Sequence, residues 1–237
     1  SQDSRYVTRA ALSRSESRVP RVLAWSPDSR RLALPADDYA VQILDVDAGK
    51  VMRTLRSGGG RLLSLAWSPD GKFVASGGVD GVLRLWDPES GSEIQQMGDL
   101  SRNQKINAIA WRPDGAQLAF ATSESGVVLW RPQETSWRYL PGHTTYVLSV
   151  HWSPDGRRIV STDESGSVRI WDPDAEQMTL ALQFGPETST FGRGWLPGVS
   201  DAAWSPDGKT LAGAGWSGEQ AVRFWTTQVE PTPTRLW

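Results

Sequence analysis

Trp152-Ser153-Pro154-Asp155-Gly156 ends a run of alternating residues and opens a tight turn. The phrase recurs as Trp25-Ser26-Pro27-Asp28-Ser29, Trp67-Ser68-Pro69-Asp70-Gly71, Trp111-Arg112-Pro113-Asp114-Gly115 and Trp204-Ser205-Pro206-Asp207-Gly208. The tryptophans stand 42, 44, 41 and 52 residues apart. A period of about 40 to 45 residues along a whole chain marks a repeat architecture, in which one supersecondary unit is stacked many times. Proline presets φ early in each turn, and glycine accepts the positive φ that its last residue requires.

Working outward from this turn, repeat four divides into four strands. Val147 to Trp152 alternates and is rich in β-branched and aromatic residues, which suits a strand. Arg158 to Thr162 is a second strand and Val168 to Trp171 a third, and a weaker fourth runs from Met178 to Leu182. The third strand recurs in phase as Val41–Asp45, Leu83–Asp87, Val127–Trp130 and Val222–Trp225. Four antiparallel strands per repeat of this length make one blade of a β-propeller. The spacing therefore predicts one all-β domain over 1–237, with repeats near 20–60, 61–104, 105–145, 146–196 and 197–226 and a tail at 227–237. An additional outer strand is expected at 5–12. With it the strands number twenty, so that the N-terminal strand completes the last blade. A closed five-bladed ring and an arc of a larger ring both satisfy this count.

The third strands carry a resemblance. Trp86-Asp87 and Trp171-Asp172 are the Trp-Asp pair of WD40-repeat propellers, and Leu44-Asp45, Trp130-Arg131 and Trp225-Thr226 are degenerate forms of it. The chain resembles that family over nearly its full length. The Trp-Ser-Pro-Asp-Gly phrase alone is also similar to propellers of TolB-like proteins and of prolyl-oligopeptidase-type enzymes. The resemblance assigns scaffold roles to Trp25, Trp67, Trp111, Trp152 and Trp204 in the inner strands and to Trp86, Trp130, Trp171 and Trp225 in the third. It also makes His143, in Gly142-His143, and Asp80 members of the family's His–Ser/Thr–Asp–Trp hydrogen-bond network. Counted at the family's offset of six residues before the third-strand Trp, Asp survives as Asp80, whereas repeat four has Ser165 there. On that count no repeat holds the whole network, and the blades are expected to rely on apolar packing.

Composition narrows function. The 25 basic and 27 acidic side chains leave a net charge of −2, with none of the basic surplus that nucleic-acid or anionic-membrane binding uses. There is no cysteine and there are only two histidines, so thiolate zinc sites and Cys–His nucleophiles have no residues to build them. No apolar run reaches the ~18 residues of a membrane span. Gly208-Lys209-Thr210 ends like a phosphate loop, but the glycine required five residues earlier is Ala203. No Gly-x-Ser-x-Gly elbow occurs. The expectation is a non-enzymatic chain without metal or cofactor, in a reducing cytoplasm.

Four of the thirteen tryptophans fall outside the repeat: Trp137, Trp195, Trp216 and Trp237. Trp137 suits an outer strand. Trp195 lies in the stretched connection from Gln183 to Pro197, and Trp216 lies between the second and third strands of repeat five. Those two loop types open on one face of a propeller, and paired aromatics on a rim suit a binding hot spot. The alternative is that Trp195 and Trp216 pack on each other. Tyr39, Arg102, Tyr146 and Arg193 are expected on or near that face. The function these features point to is a protein- or peptide-binding scaffold or sensing module. Its repeat style and arginine content suggest a larger bacterial polypeptide, whose other domains are further candidate partners. The alternative is the propeller part of a hydrolase or of a TolB-like periplasmic protein.

Overall fold

In the computed structural model, residues 22–37, 39–56, 58–98, 104–124, 126–183, 199–215 and 222–227 are described. All their regular elements are strands, and the strands form five antiparallel sheets in chain order. Blade one contains β1 (Ala24–Trp25), β2 (Arg31–Asp37), β3 (Ala40–Asp45) and β4 (Lys50–Arg56). Blade two contains β5 (Leu62–Trp67), β6 (Val74–Gly78), β7 (Leu83–Trp86) and β8 (Glu93–Met97). Blade three contains β9 (Ile106–Trp111), β10 (Leu118–Thr122), β11 (Gly126–Trp130) and β12 (Trp137–Pro141). Blade four contains β13 (Val147–Trp152), β14 (Ile159–Asp163), β15 (Ser167–Asp172) and β16 (Gln177–Gln183). Blade five has three strands among the described residues, β17 (Val199–Trp204), β18 (Thr210–Gly215) and β19 (Val222–Thr226). The chain is a β-propeller. The closing strand expected at 5–12 and the tail beyond residue 227 lie outside the described residues.

The repeated turn is built by its own side chains. In repeats one, two, four and five the Ser hydroxyl donates to the Asp carboxylate (Ser153 Oγ to Asp155 Oδ1, 2.6 Å). The same hydroxyl accepts the amide that begins the second strand, as from Arg158 N at 2.9 Å. The Asp accepts the amide two residues on. These hydroxyl and amide bonds hold the carboxyls of Asp28, Asp70, Asp155 and Asp207 below their ordinary value. The fifth residue takes a positive φ, 69° at Gly156, and Ser29 adopts 59° in repeat one, where glycine is missing.

The core lies between blades, in four apolar clusters that follow one rule. The forward-facing pair on each third strand packs on the next blade: Val41 and Ile43, Leu83 and Leu85, Val127 and Leu129, Val168 and Ile170, all at most 2% exposed. The inner-strand tryptophan of the next blade covers each pair, and its ring N–H reaches back where geometry allows. Trp111 Nε1 donates to Ala66 O (3.4 Å) and Trp152 Nε1 to Ala110 O (3.2 Å).

Each of these tryptophans is capped by a side chain of the preceding blade. Arg31 lies 5.1 Å from the ring centroid of Trp67, and Arg158 lies 4.8 Å from that of Trp204. Phe73 stacks on Trp111 at 6.5 Å and 16°. All three caps stand six residues after their own blade's tryptophan. Gln117 occupies that place in blade three, and the cap comes instead from Arg112, 5.5 Å over Trp152. The departure from Ser to Arg in the third repeat phrase thus has a physical reason: the turn loses its Ser–Asp bond, and the joint gains its cation.

The rule stops at the two ends. Trp25 is 51% exposed, although Trp67, Trp111 and Trp152 are 7 to 9% exposed. Val222 and Phe224, the forward-facing pair of blade five, are 49% and 71% exposed. Successive inner strands β1, β5, β9, β13 and β17 lie side by side in chain order. Trp25 nonetheless sits in the inner strand of blade one, paired with Leu32.

Candidate functional site

The paired ends of the inner and second strands fix which loops share a face. Leu62 pairs with Gly78, Ile106 with Thr122, Val147 with Asp163 and Val199 with Gly215. The connections entering the inner strands and the turns after the second strands therefore open on one side, the loop face. The Ser-Pro-Asp-Gly turns open on the other.

A depression of about 720 Å³ lies on the loop face across blades two, three and four. Its rim repeats one position, six residues before the inner tryptophan: Arg61, Lys105 and Tyr146. The carbonyl of each accepts an amide from the facing turn, from Val79, Ser123 and Glu164 at 3.0, 3.0 and 3.1 Å. These bonds pin the three side chains at matching places around the mouth. Below them lie Leu63, Asn107 and Leu148, two residues further along each inner strand. Asn107 Nδ2 donates to Val147 O (2.8 Å) and ties blade three to blade four. Glu124 and Glu164 complete the wall, with Glu124 accepting a bond from Gln104 Nε2 (2.6 Å).

Of the residues expected on this face, Tyr146 is at the depression and 54% exposed. Tyr39 is 56% exposed in the turn after β2, on the same face of blade one. Arg102, Arg193, Trp195 and Trp216 lie outside the described residues. Trp137 starts outer strand β12, 42% exposed. Arg61, Lys105, Glu124 and Glu164 were missed by the sequence reading. The signal available for the first two was their common offset from the repeat tryptophan.

Beside the depression, blade four overturns one expectation. It holds a complete His–Ser–Asp–Trp network, although the fixed-offset count found none. Trp171 Nε1 donates to Ser161 Oγ (2.8 Å), Ser161 Oγ meets His143 Nε2 (2.7 Å), and His143 Nδ1 meets Asp163 Oδ2 (2.7 Å). Indole can only donate and carboxylate only accept, so the chain runs one way: Trp171 to Ser161, Ser161 to His143, His143 to Asp163. Asp163 also accepts from the Ser165 hydroxyl and from the amides of Ser165 and Ser167. Burial pushes the Asp163 carboxyl up, but the bonds from His143, Ser165 and Ser167 outweigh it and hold it below its ordinary value. The side chains of His143 and Asp163 have no solvent exposure, which makes the network part of the scaffold. Gly142 precedes the histidine at φ +152°, where a β-carbon would stand 2.9 Å from Arg169 Nη1 and 3.2 Å from the Trp171 ring.

Elsewhere the network is partial. In blade two Trp86 Nε1 donates to Ser76 Oγ (2.8 Å), but Asp80 pairs with Arg84 (2.7 Å) and has no histidine to bind. A β-carbon at Gly59 would collide with the Asp80 carboxylate. In blade three Trp130 Nε1 turns to the Glu134 carbonyl (3.1 Å), because Phe120 stands where Ser76 and Ser161 stand in their blades. Trp225 is half-buried beside Gly213, whose β-carbon would meet its ring at 2.7 Å.

His151 bonds Asp201 Oδ1 (2.7 Å) across the joint of blades four and five, both side chains partly exposed. The paired carboxylates at Asp45 and Asp172 cap turns, accepting from Ala48 N and from Asp174 N and Ala175 N. Among the described residues no three His, Asp or Glu side chains gather as metal ligands, and no helix is long and apolar enough to cross a membrane. No curated protein matches the chain. The family model described as the nucleolar protein 10-like N-terminal domain, a β-propeller, matches residues 13–226, which run through all five blades, and the chain belongs to that propeller family.

Proposed function

We propose that this propeller is a non-enzymatic interaction module that receives a protein or peptide on its loop face. The observation that carries this reading is the depression across blades two to four, where charged and aromatic side chains converge at one repeat position above a partly apolar floor. Such a mixture of anchors and polar groups suits binding. Trp195 and Trp216, singled out from the sequence as paired aromatics of the loops around repeat five, are the proposed hot spot, with Arg102 and Arg193 as polar companions.

The module acts as one part of a longer polypeptide, in which another domain performs any chemistry. The description of the family as an N-terminal domain supports that division. The bacterial repeat style and the absence of cysteine favour a cytoplasmic setting in a bacterial protein.

The test is cross-linking capture of partners in the native host. Trp195→Ala, Trp216→Ala and Tyr146→Ala each reduce capture with circular dichroism and thermal midpoint unchanged. Lys72→Ala, on the opposite face with its side chain 73% exposed, leaves capture intact. Undiminished capture by all three loop-face variants refutes the assignment.

A further inference from the structure

The mouth of the depression is graded in charge. On blade two it presents Arg61 with no acidic neighbour in the wall, and on blade three Lys105 with Glu124. On blade four it presents Tyr146 and Glu164, joined through the Glu164 N to Tyr146 O bond. Positive charge thus gives way to negative along three adjacent blades. Among the described residues the side chains of Arg61, Lys105, Tyr146 and Glu164 have no hydrogen-bond or ion-pair partner, so each is available to a ligand.

We infer that the mouth recognises an extended peptide segment with segregated charge, its acidic half over Arg61 and Lys105 and its basic half over Tyr146 and Glu164. The inference rests on the loop face being the binding face. Two features favour an ordered peptide over a uniformly charged one. Arg61 and Glu164 stand at opposite ends of the depression, so a polyanion or a polycation meets a like charge at one end. At the acidic end of the mouth, on blade four, an exposed phenol ring and a carboxylate share the wall, and a lysine or arginine side chain of the peptide gains from both the ring face and the ion pair. Apolar residues of the segment would rest between Leu63 and Leu148, the leucines of the floor on either side of Asn107.

The experiment is fluorescence anisotropy with five synthetic dodecapeptides of matched length. Two carry four Glu, four Leu/Val and four Lys, one in each order. One has the same composition with charges alternating, one is all-acidic in its polar positions, and one is all-basic. One order of the segregated peptide is expected to bind at least about ten-fold tighter than the alternating one. Arg61→Glu or Glu164→Lys weakens it about ten-fold, and the double variant Arg61→Glu/Glu164→Lys shifts preference to the opposite order. Equal binding of segregated and alternating peptides, preference for a uniformly charged peptide, or no binding at all overturns the inference. In the last case a loss of partner capture by Trp195→Ala or Trp216→Ala would still support the interaction module itself, so the two failures are distinguishable.

Discussion

Asp163→Ala is expected to be among the most costly single substitutions in blade four. Its carboxylate has no exposure and accepts four hydrogen bonds: from His143 Nδ1 at 2.7 Å, Ser165 Oγ at 2.6 Å, and the amides of Ser165 and Ser167 at 3.0 Å. Alanine leaves the His143 N–H and the buried Ser167 amide facing no acceptor. Each buried donor left without an acceptor costs about 1–3 kcal/mol, so the two together cost about 2–6 kcal/mol. Ser161→Ala removes the middle of the chain and strands the Trp171 N–H and His143 Nε2, for about 1–3 kcal/mol. Ser76→Ala in blade two strands only the Trp86 N–H and stays near about 1 kcal/mol. Equilibrium urea unfolding followed by tryptophan fluorescence gives all three values. A cost under about 1 kcal/mol for Asp163→Ala, or equal costs for Ser161→Ala and Ser76→Ala, would refute the account of the network.

The lowered pKa of Asp163 adds a pH dependence: because its folded value lies below the unfolded one of about 3.9, its contribution is present above that value and is lost as pH falls below it. Acid titration of stability in wild type and Asp163→Asn should converge at the lowest pH, and parallel curves would contradict it. At the forward-facing position Leu129→Ala, from 1% exposure, costs about 2–5 kcal/mol, whereas Phe224→Ser, from 71% exposure, changes stability by less than about 0.5 kcal/mol in the same assay. Arg158→Ala removes the cap on Trp204 and the bonds to Gly208 O and Thr227 O, at 3.1 and 3.4 Å. Hydrogen exchange should then rise in β17 to β19 and stay unchanged in β9 to β12, and a uniform rise would count against local capping.

The fold was legible because the two phrases that repeat are the two that physics requires in every blade: a turn that ends the inner strand, and a third strand with an apolar forward face. The blade-four network escaped because an aspartate counted at a fixed distance from Trp171 falls on Ser165. The functional aspartate lies two residues upstream, at the end of β14. Ser161 and Asp163 share one side of that strand, since side chains alternate along it, and reading the strand by its period of two would have joined them. The caps over the inner tryptophans were hidden for another reason. They pair residues of neighbouring repeats, Arg112 with Trp152 for example, and comparing repeats position by position cannot reveal a contact between different positions. Tyr39 and Tyr146 fell on the loop face because loop polarity follows from strand order alone, whereas the charged rim at Arg61 and Lys105 emerged only once the inner strands stood side by side.

The caps also bear on how a chain of near-copies finds its proper order. If every joint used the same pair of residues, any blade could dock on any other, and a folding intermediate could skip a repeat or borrow one from a second molecule. Here four joints use three arrangements: arginine on Trp67 and, from the same position, on Trp204, phenylalanine on Trp111, and an arginine from another position on Trp152. The two middle joints are thereby distinguished from each other and from the outer two, which share one arrangement. Part of the nearest-neighbour order is written into the seams, on the capping side and not on the tryptophan it covers.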